Sequence, residues 1–128
     1  MHEKRVEIRW SDVDAVGHVN NAVYATYLEE CRDEWLDRAL GGGETGWDYV
    51  VARVALDYRR ALRLEDEAVL VRVGLERIGT SSVTTREEIL AGEEVAAEAE
   101  AVLVARDRDT GRSRPLTTAE RDAIEHGG

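Results

Sequence analysis

The residues best suited to chemistry lie in one short segment near the start of the chain. Residues 11–21 contain Asp14 and His18 among turn- and cap-forming residues, and lead directly into a long stretch of helical apolar periodicity. A carboxylate placed at the N-terminus of a helix has free backbone N–H groups beside it. Those groups can hold a carbonyl oxygen while the carboxylate attacks the carbonyl or activates water. This combination is a minimal apparatus for hydrolysing an acyl bond.

A plainer interpretation uses the same residues. Asp14 can close an Asx turn and Asn20 can cap the helix, with no catalysis at all. The ring of His18 either lies beside a substrate or is satisfied by backbone carbonyl groups of the loop. Spacing alone leaves both alternatives open.

Other reactive side chains give weaker signals. Cys31 falls on the apolar stripe of the helix, so it is expected in the core rather than as a nucleophile. The three histidines have no metal-ligand spacing, and no metal site is predicted. The residues are His2, His18 and His126.

The helix that must position these groups is predicted from Asn21 to about Leu40. Asn20 is suited to the N-cap, and the three glycines 41–43 stop the helix. Apolar side chains recur at three- and four-residue spacing and form a single stripe. The stripe comprises Tyr24, Tyr27, Leu28, Cys31, Trp35 and Leu36.

Most of the remaining chain alternates with a period of two, which predicts strands. Val6, Ile8 and Trp10 are expected on one face of the first strand, and alternate residues from Val50 to Tyr58 on one face of the second. A short helix is predicted over Thr117–His126. This order predicts an α+β domain over residues 1–128, with an antiparallel sheet packed on one long helix. The predicted strands are Val6–Trp10, Val50–Tyr58, Glu67–Ile78, Ser81–Leu90 and Glu94–Arg106.

Composition restricts the partners and the compartment. The 128 residues carry a formal net charge of −10, which disfavours nucleic acid and anionic membranes as partners. No apolar run approaches the roughly 18 residues that cross a bilayer, and residues 1–5 lack the apolar stretch of a signal peptide. The single cysteine fits a reducing compartment. The cytoplasm is therefore the expected location.

The predicted sheet also points to an oligomer. One helix covers only one face of the sheet, an edge strand needs a partner or protection, and the long strands carry little charge on either face. A homodimer or homotetramer is expected for these reasons. The alternative is a second sheet face that is simply solvated by Arg and Glu side chains.

The N-terminal segment resembles the signature of the 4-hydroxybenzoyl-CoA thioesterase branch of the hotdog superfamily. The matching residues are Trp10–Asp14, Gly17–Asn21, Tyr24 and Glu29–Arg32, with a looser likeness at Leu56–Arg60, Gly79–Ser82 and Thr110–Leu116. The resemblance implies a hotdog fold, in which a curved antiparallel sheet of about five strands wraps a long central helix. It also implies hydrolysis of acyl-CoA thioesters without a cofactor, at active sites between two subunits.

The resemblance further implies a role for individual residues. Asp14 would be the nucleophile or the general base, and the backbone N–H of Asn21 would polarise the thioester carbonyl. His18 would position substrate or water, while Asp12 would bond loop amides. Tyr24 and Tyr27 line either the acyl pocket or the core. The residues expected to contact the substrate are Val19, Asn20, Tyr24, Arg59, Arg60 and Ser82, with Arg63 completing the basic cluster.

Two other functions remain open at this point. A carrier-protein thioesterase would use the same chemistry, but it would need a basic docking face that a net charge of −10 disfavours. A non-catalytic acyl-CoA binder would use the same pocket. The carboxylate of Asp14 argues against a binder, because a desolvated charge is costly without a catalytic use.

Overall fold

The computed structural model describes residues 1–42 and 45–127, which form an α+β architecture. A curved sheet of five antiparallel strands has the strand order β1-β3-β4-β5-β2. The predicted fold class and strand number are confirmed. The elements are β1 (His2–Glu7), α1 (Asn21–Ala39), β2 (Tyr49–Tyr58), β3 (Ala68–Ile78), β4 (Ser82–Ala91), β5 (Glu94–Ala105) and α2 (Thr118–Gly127).

The long helix α1 begins where the sequence predicts. The side chain of Asn20 caps it by accepting a hydrogen bond of 2.9 Å from the N–H of Ala22. At the other end, the N–H groups of Gly41 and Gly42 donate to the carbonyl oxygens of Arg38 and Asp37, and Gly41 has a φ of 78°. This is the Schellman arrangement, which favours glycine. Gly43, the third glycine of the predicted stop, lies outside the described residues.

The predicted apolar stripe of α1 packs on one face of the sheet. Its six members are all buried, and Leu28 and Cys31 are 0% exposed. A buried ion pair also crosses this interface: Arg32 donates two hydrogen bonds of 2.8 Å to Glu87 on β4. Thr85 donates a third bond of 2.7 Å to the same carboxylate. These donors offset the desolvation of the carboxylate and hold α1 in register on the sheet.

The first strand differs from its prediction. It runs over His2–Glu7 rather than Val6–Trp10, and pairs with β3. Val6 and Ile8 are buried as predicted, but Trp10 is 80% exposed. The reason is a tight turn over Trp10–Asp12, stabilised by a hydrogen bond from the N–H of Arg9 to the carboxylate of Asp12. The alternation of apolar residues ends at this turn, so the predicted position of Trp10 was wrong.

The second strand contains a bulge that the sequence pattern conceals. Its register against β5 shifts between Val51 and Arg53, so that Ala52 is an extra residue. Val51 lies opposite the buried Leu103, and Val50 therefore faces away from α1. The predicted face was correct from Val54 onward and wrong for Val50. A single inserted residue reverses the side-chain direction of everything before it.

The outer face of the sheet carries cross-strand ion pairs. The expectation that the strands carry little charge on either face was therefore wrong for the outer face. This face is solvated by Arg and Glu side chains. The free edge of β2 is different, because Val50, Val51, Val54 and Tyr58 are 39%, 46%, 40% and 46% exposed there. The pairs are Arg53–Glu100, Arg59–Glu98, Arg72–Glu88 and Arg86–Glu76.

The C-terminal helix α2 is joined to the start of β2 by a buried carboxylate. Glu120 is 6% exposed and accepts two hydrogen bonds from Arg114, of 2.7 and 3.0 Å. It also accepts one of 2.9 Å from the hydroxyl of Tyr49 and one of 2.8 Å from the N–H of Thr117.

No helix within the described ranges is long and apolar enough to cross a membrane.

Candidate active site

The segment before α1 folds back on itself as a narrow loop. The carbonyl oxygen of Asp12 accepts a hydrogen bond of 2.9 Å from the N–H of Asn20. Val13 and Val19 form an antiparallel bridge, and the N–H of Asp14 donates to the carbonyl oxygen of His18 at 2.8 Å. Residues 14–18 therefore close the tip of the loop, at the N-terminal end of the helix.

The loop uses only one oxygen of the Asp14 carboxylate for hydrogen bonds. Its Oδ1 atom accepts hydrogen bonds from the N–H groups of Val16 at 3.0 Å and His18 at 3.2 Å. This is the Asx turn of the plainer interpretation. Oδ2 has no hydrogen-bond partner among residues 1–42 and 45–127, and the side chain is exposed. One oxygen thus orients the group and the other can reach a ligand.

Exposure of Asp14 also weakens one argument made from the sequence. The case against a non-catalytic binder assumed a desolvated carboxylate. In the single chain this carboxylate lies in solvent. Desolvation of Asp14 would therefore need a bound substrate or a second subunit.

The first turn of α1 presents one unsatisfied amide. The N–H groups of Ala22 and Val23 donate to the side chain and the carbonyl of Asn20, at 2.9 Å each. The N–H of Asn21 has no partner in the part of the chain that the structure describes, and Asn21 is exposed. Because the helix terminus also carries a partial positive charge, this N–H is suited to an anionic or polarised oxygen.

The basic cluster that was expected to contact the substrate lies directly beside this loop. The N–H of Val19 donates to the carbonyl oxygen of Leu62 at 2.7 Å, and His18 forms a bridge with Arg63. Tyr24 fixes the same segment from the helix: its hydroxyl donates to the carbonyl of Arg60 at 3.0 Å and accepts from the N–H of Leu62 at 2.8 Å. The structure therefore brings the predicted acid and the predicted arginine cluster together.

Two of the three arginines are already engaged by carboxylates. Arg59 pairs with Glu98 at 3.1 Å. Arg60 makes two hydrogen bonds of 3.0 Å to Asp66. Hydrogen bonding to Asp66 raises the pKa of Arg60 despite some desolvation.

Arg63 is the least committed member of this cluster. Within the described ranges it makes no ion pair, and its side chain is exposed. It lines a groove of about 530 Å³ together with Arg60, Ala61, Glu65 and Asp66. The groove adjoins the loop through the bridge between His18 and Arg63.

Several predicted substrate contacts have other positions in the structure. Val19 is 2% exposed, so its side chain belongs to the core of the single chain. Tyr24 is also 2% exposed and acts through packing and its hydroxyl. Ser82 pairs with Val104, whereas the loop end of the sheet lies near Ala97. At about 3.4 Å per residue, roughly 25 Å of strand separates Ser82 from that end.

The structure also shows the surroundings of His18 and Cys31. The ring of His18 is half-buried and has no hydrogen bond to any described residue, so the backbone-carbonyl interpretation is not supported. Burial of Cys31 raises the pKa of its thiol to about 12, which makes it a core residue and a poor nucleophile. Among the residues with described positions, no three His, Cys, Asp or Glu side chains could hold a metal ion.

Tyr58 is a member of the site that the sequence analysis did not identify. Its hydroxyl donates a hydrogen bond of 3.0 Å to the carbonyl oxygen of Asn21. Its ring packs edge-on against Tyr24, with 5.0 Å between ring centroids and an interplanar angle of 76°. The sequence signals were its place at the end of β2 and within the segment Leu56–Arg60, which loosely resembles the family.

Comparisons with known proteins show similarity to thioesterases of known structure. A thioesterase from Thermus thermophilus, solved with coenzyme A and Zn, has 35% identity and a TM-score of 0.88, covering 97% of this chain and 91% of its own. A predicted thioesterase from Bacillus stearothermophilus has 30% identity and a TM-score of 0.90, covering 98% and 95%. Both likenesses extend over nearly the whole of each chain.

A third structure, the PA2801 protein of Pseudomonas aeruginosa, has 31% identity and a TM-score of 0.81, covering 96% of this chain and 97% of its own. No curated protein matches the chain. The model of the thioesterase-like superfamily matches residues 8–124, and these neighbours have the hotdog fold that the N-terminal segment implied. The chain belongs to the thioesterase-like superfamily.

Proposed function

We propose that the protein hydrolyses acyl-CoA thioesters to a free acid and CoA, with Asp14 as the catalytic carboxylate. Membership of the thioesterase-like superfamily supports thioester hydrolysis as the reaction. The observation that carries the assignment to these residues is that neither the N–H of Asn21 nor Oδ2 of Asp14, at the two ends of one loop, has a partner among the described residues. A carboxylate and an oxyanion donor on one short loop are what acyl transfer requires.

In the proposed reaction, the thioester carbonyl oxygen accepts a hydrogen bond from the N–H of Asn21. Oδ2 of Asp14 then either attacks the carbonyl carbon or removes a proton from water that attacks it. Charge that develops on the carbonyl oxygen is stabilised by the amide and by the helix dipole. His18, whose ring is free of hydrogen bonds to the described residues, would orient substrate or water at the same loop tip.

The groove beside the loop supports CoA as the carrier of the acyl group. Arg63 is the arginine best placed for a phosphate, because Arg59 and Arg60 would first have to exchange a carboxylate partner. The Thermus thermophilus neighbour was solved with coenzyme A, which supports a ligand of this class. Asn20 would act through its cap, and not by direct contact with the ligand.

The free edge of β2 supports a homodimer, with a tetramer as the larger alternative. A two-fold axis at Ala55 would place Arg53 opposite Asp57 of the partner subunit, and Val54 opposite Leu56 of the partner subunit. The positive charge of Arg53 would then lie opposite the negative charge of Asp57, and the apolar side chains would contact one another. In such a dimer the loop of one subunit and Ser82 on the strands of the other could share one active site. In this arrangement Ser82 would contact the substrate, although within a single chain it lies far from the loop.

We further infer that residues 1–128 are one hotdog domain with α1 as its central helix, since Leu28 and Cys31 are 0% exposed. The cytoplasm is the proposed location, on the strength of one buried cysteine. A non-catalytic acyl-CoA binder is the second candidate function. The specific observation in its favour is that Asp14 is exposed and makes an ordinary Asx turn.

The test is hydrolysis of short, long and aromatic acyl-CoAs, followed by release of free thiol. Cys31 is fully buried, so the folded protein contributes little background to a thiol reagent. Asp14→Asn is compared with Asp107→Asn, a matched control in which Oδ1 also closes an Asx turn, with two N–H contacts of 2.9 Å. Loss of most of the turnover in Asp14→Asn alone supports the proposal.

Three other outcomes would contradict the proposal. Turnover that is equal in wild type and Asp14→Asn would remove Asp14 from the mechanism. Absence of turnover with every CoA ester, together with binding of acyl-CoA, would favour the binder. Cleavage of acyl-carrier-protein esters alone would favour the carrier-protein alternative.

A further inference from the structure

A second carboxylate in the catalytic segment is buried and has no part in the proposed reaction. Asp12 is 4% exposed, although it lies two residues from the exposed Asp14. Its carboxylate accepts hydrogen bonds from the N–H of Arg9 at 2.9 Å, from Nη2 of Arg9 at 3.2 Å, and from the hydroxyl of Tyr27 at 2.7 Å. A buried charge is costly unless such donors compensate it, so the arrangement calls for a structural or functional reason.

Hydrogen bonds outweigh burial and keep the Asp12 carboxylate ionised. Burial by itself would raise the pKa of Asp12, but the donors from Arg9 and Tyr27 outweigh burial and lower it. Burial and the neighbouring carboxylate raise the pKa of Tyr27, so the phenol remains a donor. The contact is therefore a charge-assisted hydrogen bond, which is stronger than a neutral one.

The backbone of Asp12 completes a connection between the two catalytic groups. Its carbonyl oxygen accepts from the N–H of Asn20, the residue immediately before Asn21. Its side chain reaches Tyr27, which is 1% exposed on the second turn of α1. Movement of Asp12 would consequently shift both Asp14 and the start of the helix.

We propose that the hydrogen bond between Tyr27 and Asp12 sets the position of the Asp14 carboxylate relative to the N–H of Asn21, and so controls the rate of the chemical step. The inference rests on the proposed function. Both side chains are buried and bond to each other rather than facing the loop surface, so they are positioning residues. Tyr27 accordingly has a second use beyond the apolar stripe of α1.

This geometry predicts a separation of kinetic constants. The groove beside the loop is held by Tyr24 and the segment 60–63, which Tyr27 does not contact through its hydroxyl. Loss of the hydroxyl should leave CoA binding intact and misplace the carboxylate. Because misplacement by about 1 Å can cost on the order of 100-fold in rate, kcat should fall by about 10- to 100-fold while KM changes by less than about twofold.

The experiment compares Tyr27→Phe with Tyr49→Phe. Tyr49 is an unusually close control: it is 8% exposed, and its hydroxyl donates a 2.9 Å bond to Glu120, itself 6% exposed. Each variant loses one hydroxyl that serves a buried carboxylate, so each should lose comparable stability. Only Tyr27→Phe should lose kcat, measured on the folded fraction with the best acyl-CoA of the panel.

Variants of the acceptor provide a second measurement that does not depend on Tyr27. Asp12→Asn keeps an oxygen that can accept from Tyr27, whereas Asp12→Ala keeps none. We expect kcat to follow the order wild type, Asp12→Asn, Asp12→Ala, with KM nearly constant. The Asp12 variants also disturb the bonds from Arg9, so Tyr27→Phe isolates the hydroxyl and the Asp12 series tests its acceptor.

The outcomes separate this inference from the proposed function. Equal kcat in Tyr27→Phe and Tyr49→Phe, in an active enzyme that still needs Asp14, overturns the positioning role alone. A rise in KM at constant kcat also overturns it, because the hydrogen bond would then serve binding. Wild type without turnover on any thioester overturns the proposed function, and the positioning role with it.

Discussion

The hydroxyl of Tyr58 donates a hydrogen bond of 3.0 Å to the carbonyl oxygen of Asn21, so the last residue of β2 is joined to the first residue of α1. Asn21 is thus held through its carbonyl while its N–H is left without a partner among the described residues. The peptide that the proposed mechanism needs is therefore fixed by the sheet as well as by the helix.

Tyr58→Phe should reduce kcat by about three- to tenfold, since one hydrogen bond contributes about 0.5–1.5 kcal/mol. Tyr58 is 46% exposed, so the free energy of unfolding should fall by no more than this amount. Steady-state kinetics and urea unfolding on the same preparation test both statements. Unchanged kcat would mean that the cap of Asn20 suffices to hold the peptide.

Arg63→Gln should raise KM for acyl-CoA about three- to tenfold and leave kcat nearly unchanged, because a phosphate contact remote from the thioester binds substrate and transition state equally. The effect should shrink as salt is raised. Arg5→Gln, which removes the same charge from an exposed arginine on β1, is the control. A thioester substrate without the nucleotide should show no difference between wild type and Arg63→Gln.

Val54→Lys should convert the proposed dimer to monomers and lower activity in parallel. It introduces a charge at the free edge of β2, where Val54 is 40% exposed. Leu75→Lys, at 36% exposure on β3, is the matched control. Sedimentation and turnover measured over a range of concentrations test the prediction. A monomeric and fully active Val54→Lys would show that each chain holds a complete site.

Stability should decrease at acid pH through Glu120. Hydrogen bonds from Arg114, which outweigh desolvation, lower the pKa of Glu120 from 4.5 to about 2. The unfolded chain therefore binds a proton more readily than the folded one. The stabilisation, on the order of 3 kcal/mol, is complete above about pH 5 and is lost as the pH falls through 4.5 towards 2.

Urea midpoints between about pH 7 and pH 3 measure this effect. Glu120→Gln should unfold more easily at neutral pH and show a shallower decline towards acid than wild type. Parallel curves for the two proteins would assign the acid sensitivity to other carboxylates. Asp12 and Asp66, whose pKa values are also lowered, are the next groups to test.

The sequence predicted those parts of the molecule that local periodicity controls. The helix from Asn21, its cap at Asn20 and the strands after Glu67 follow from spacing that a few neighbouring residues define. Trp10 was misplaced because a hydrogen bond to Asp12 ends the strand before the apolar alternation does. That contact involves a side chain, and alternation carries no information about it.

The site was predicted unevenly for a related reason. The loop of Asp14 and His18 was found through its residue types, whereas the partners of Arg59 and Arg60 lie on β5 and in the 64–66 turn. The side chain of Tyr27 matched the apolar stripe so well that its hydroxyl bond to Asp12 could not be inferred. Pairings across the chain depend on the folded topology, which residue spacing does not encode.

The extra residue at Ala52 has a consequence for how this strand can change in evolution. Tyr49 and Tyr58 are an odd number of positions apart, yet both lie on the helical side of the sheet, one towards Glu120 on α2 and the other towards Asn21 on α1. A strand of uniform pleat would turn one of them away. Loss of Ala52 would therefore leave the composition almost unaltered, but it would turn either Tyr49 away from α2 or Tyr58 away from α1. A deletion at Ala52 is therefore expected to disturb the molecule more than a substitution of the same residue.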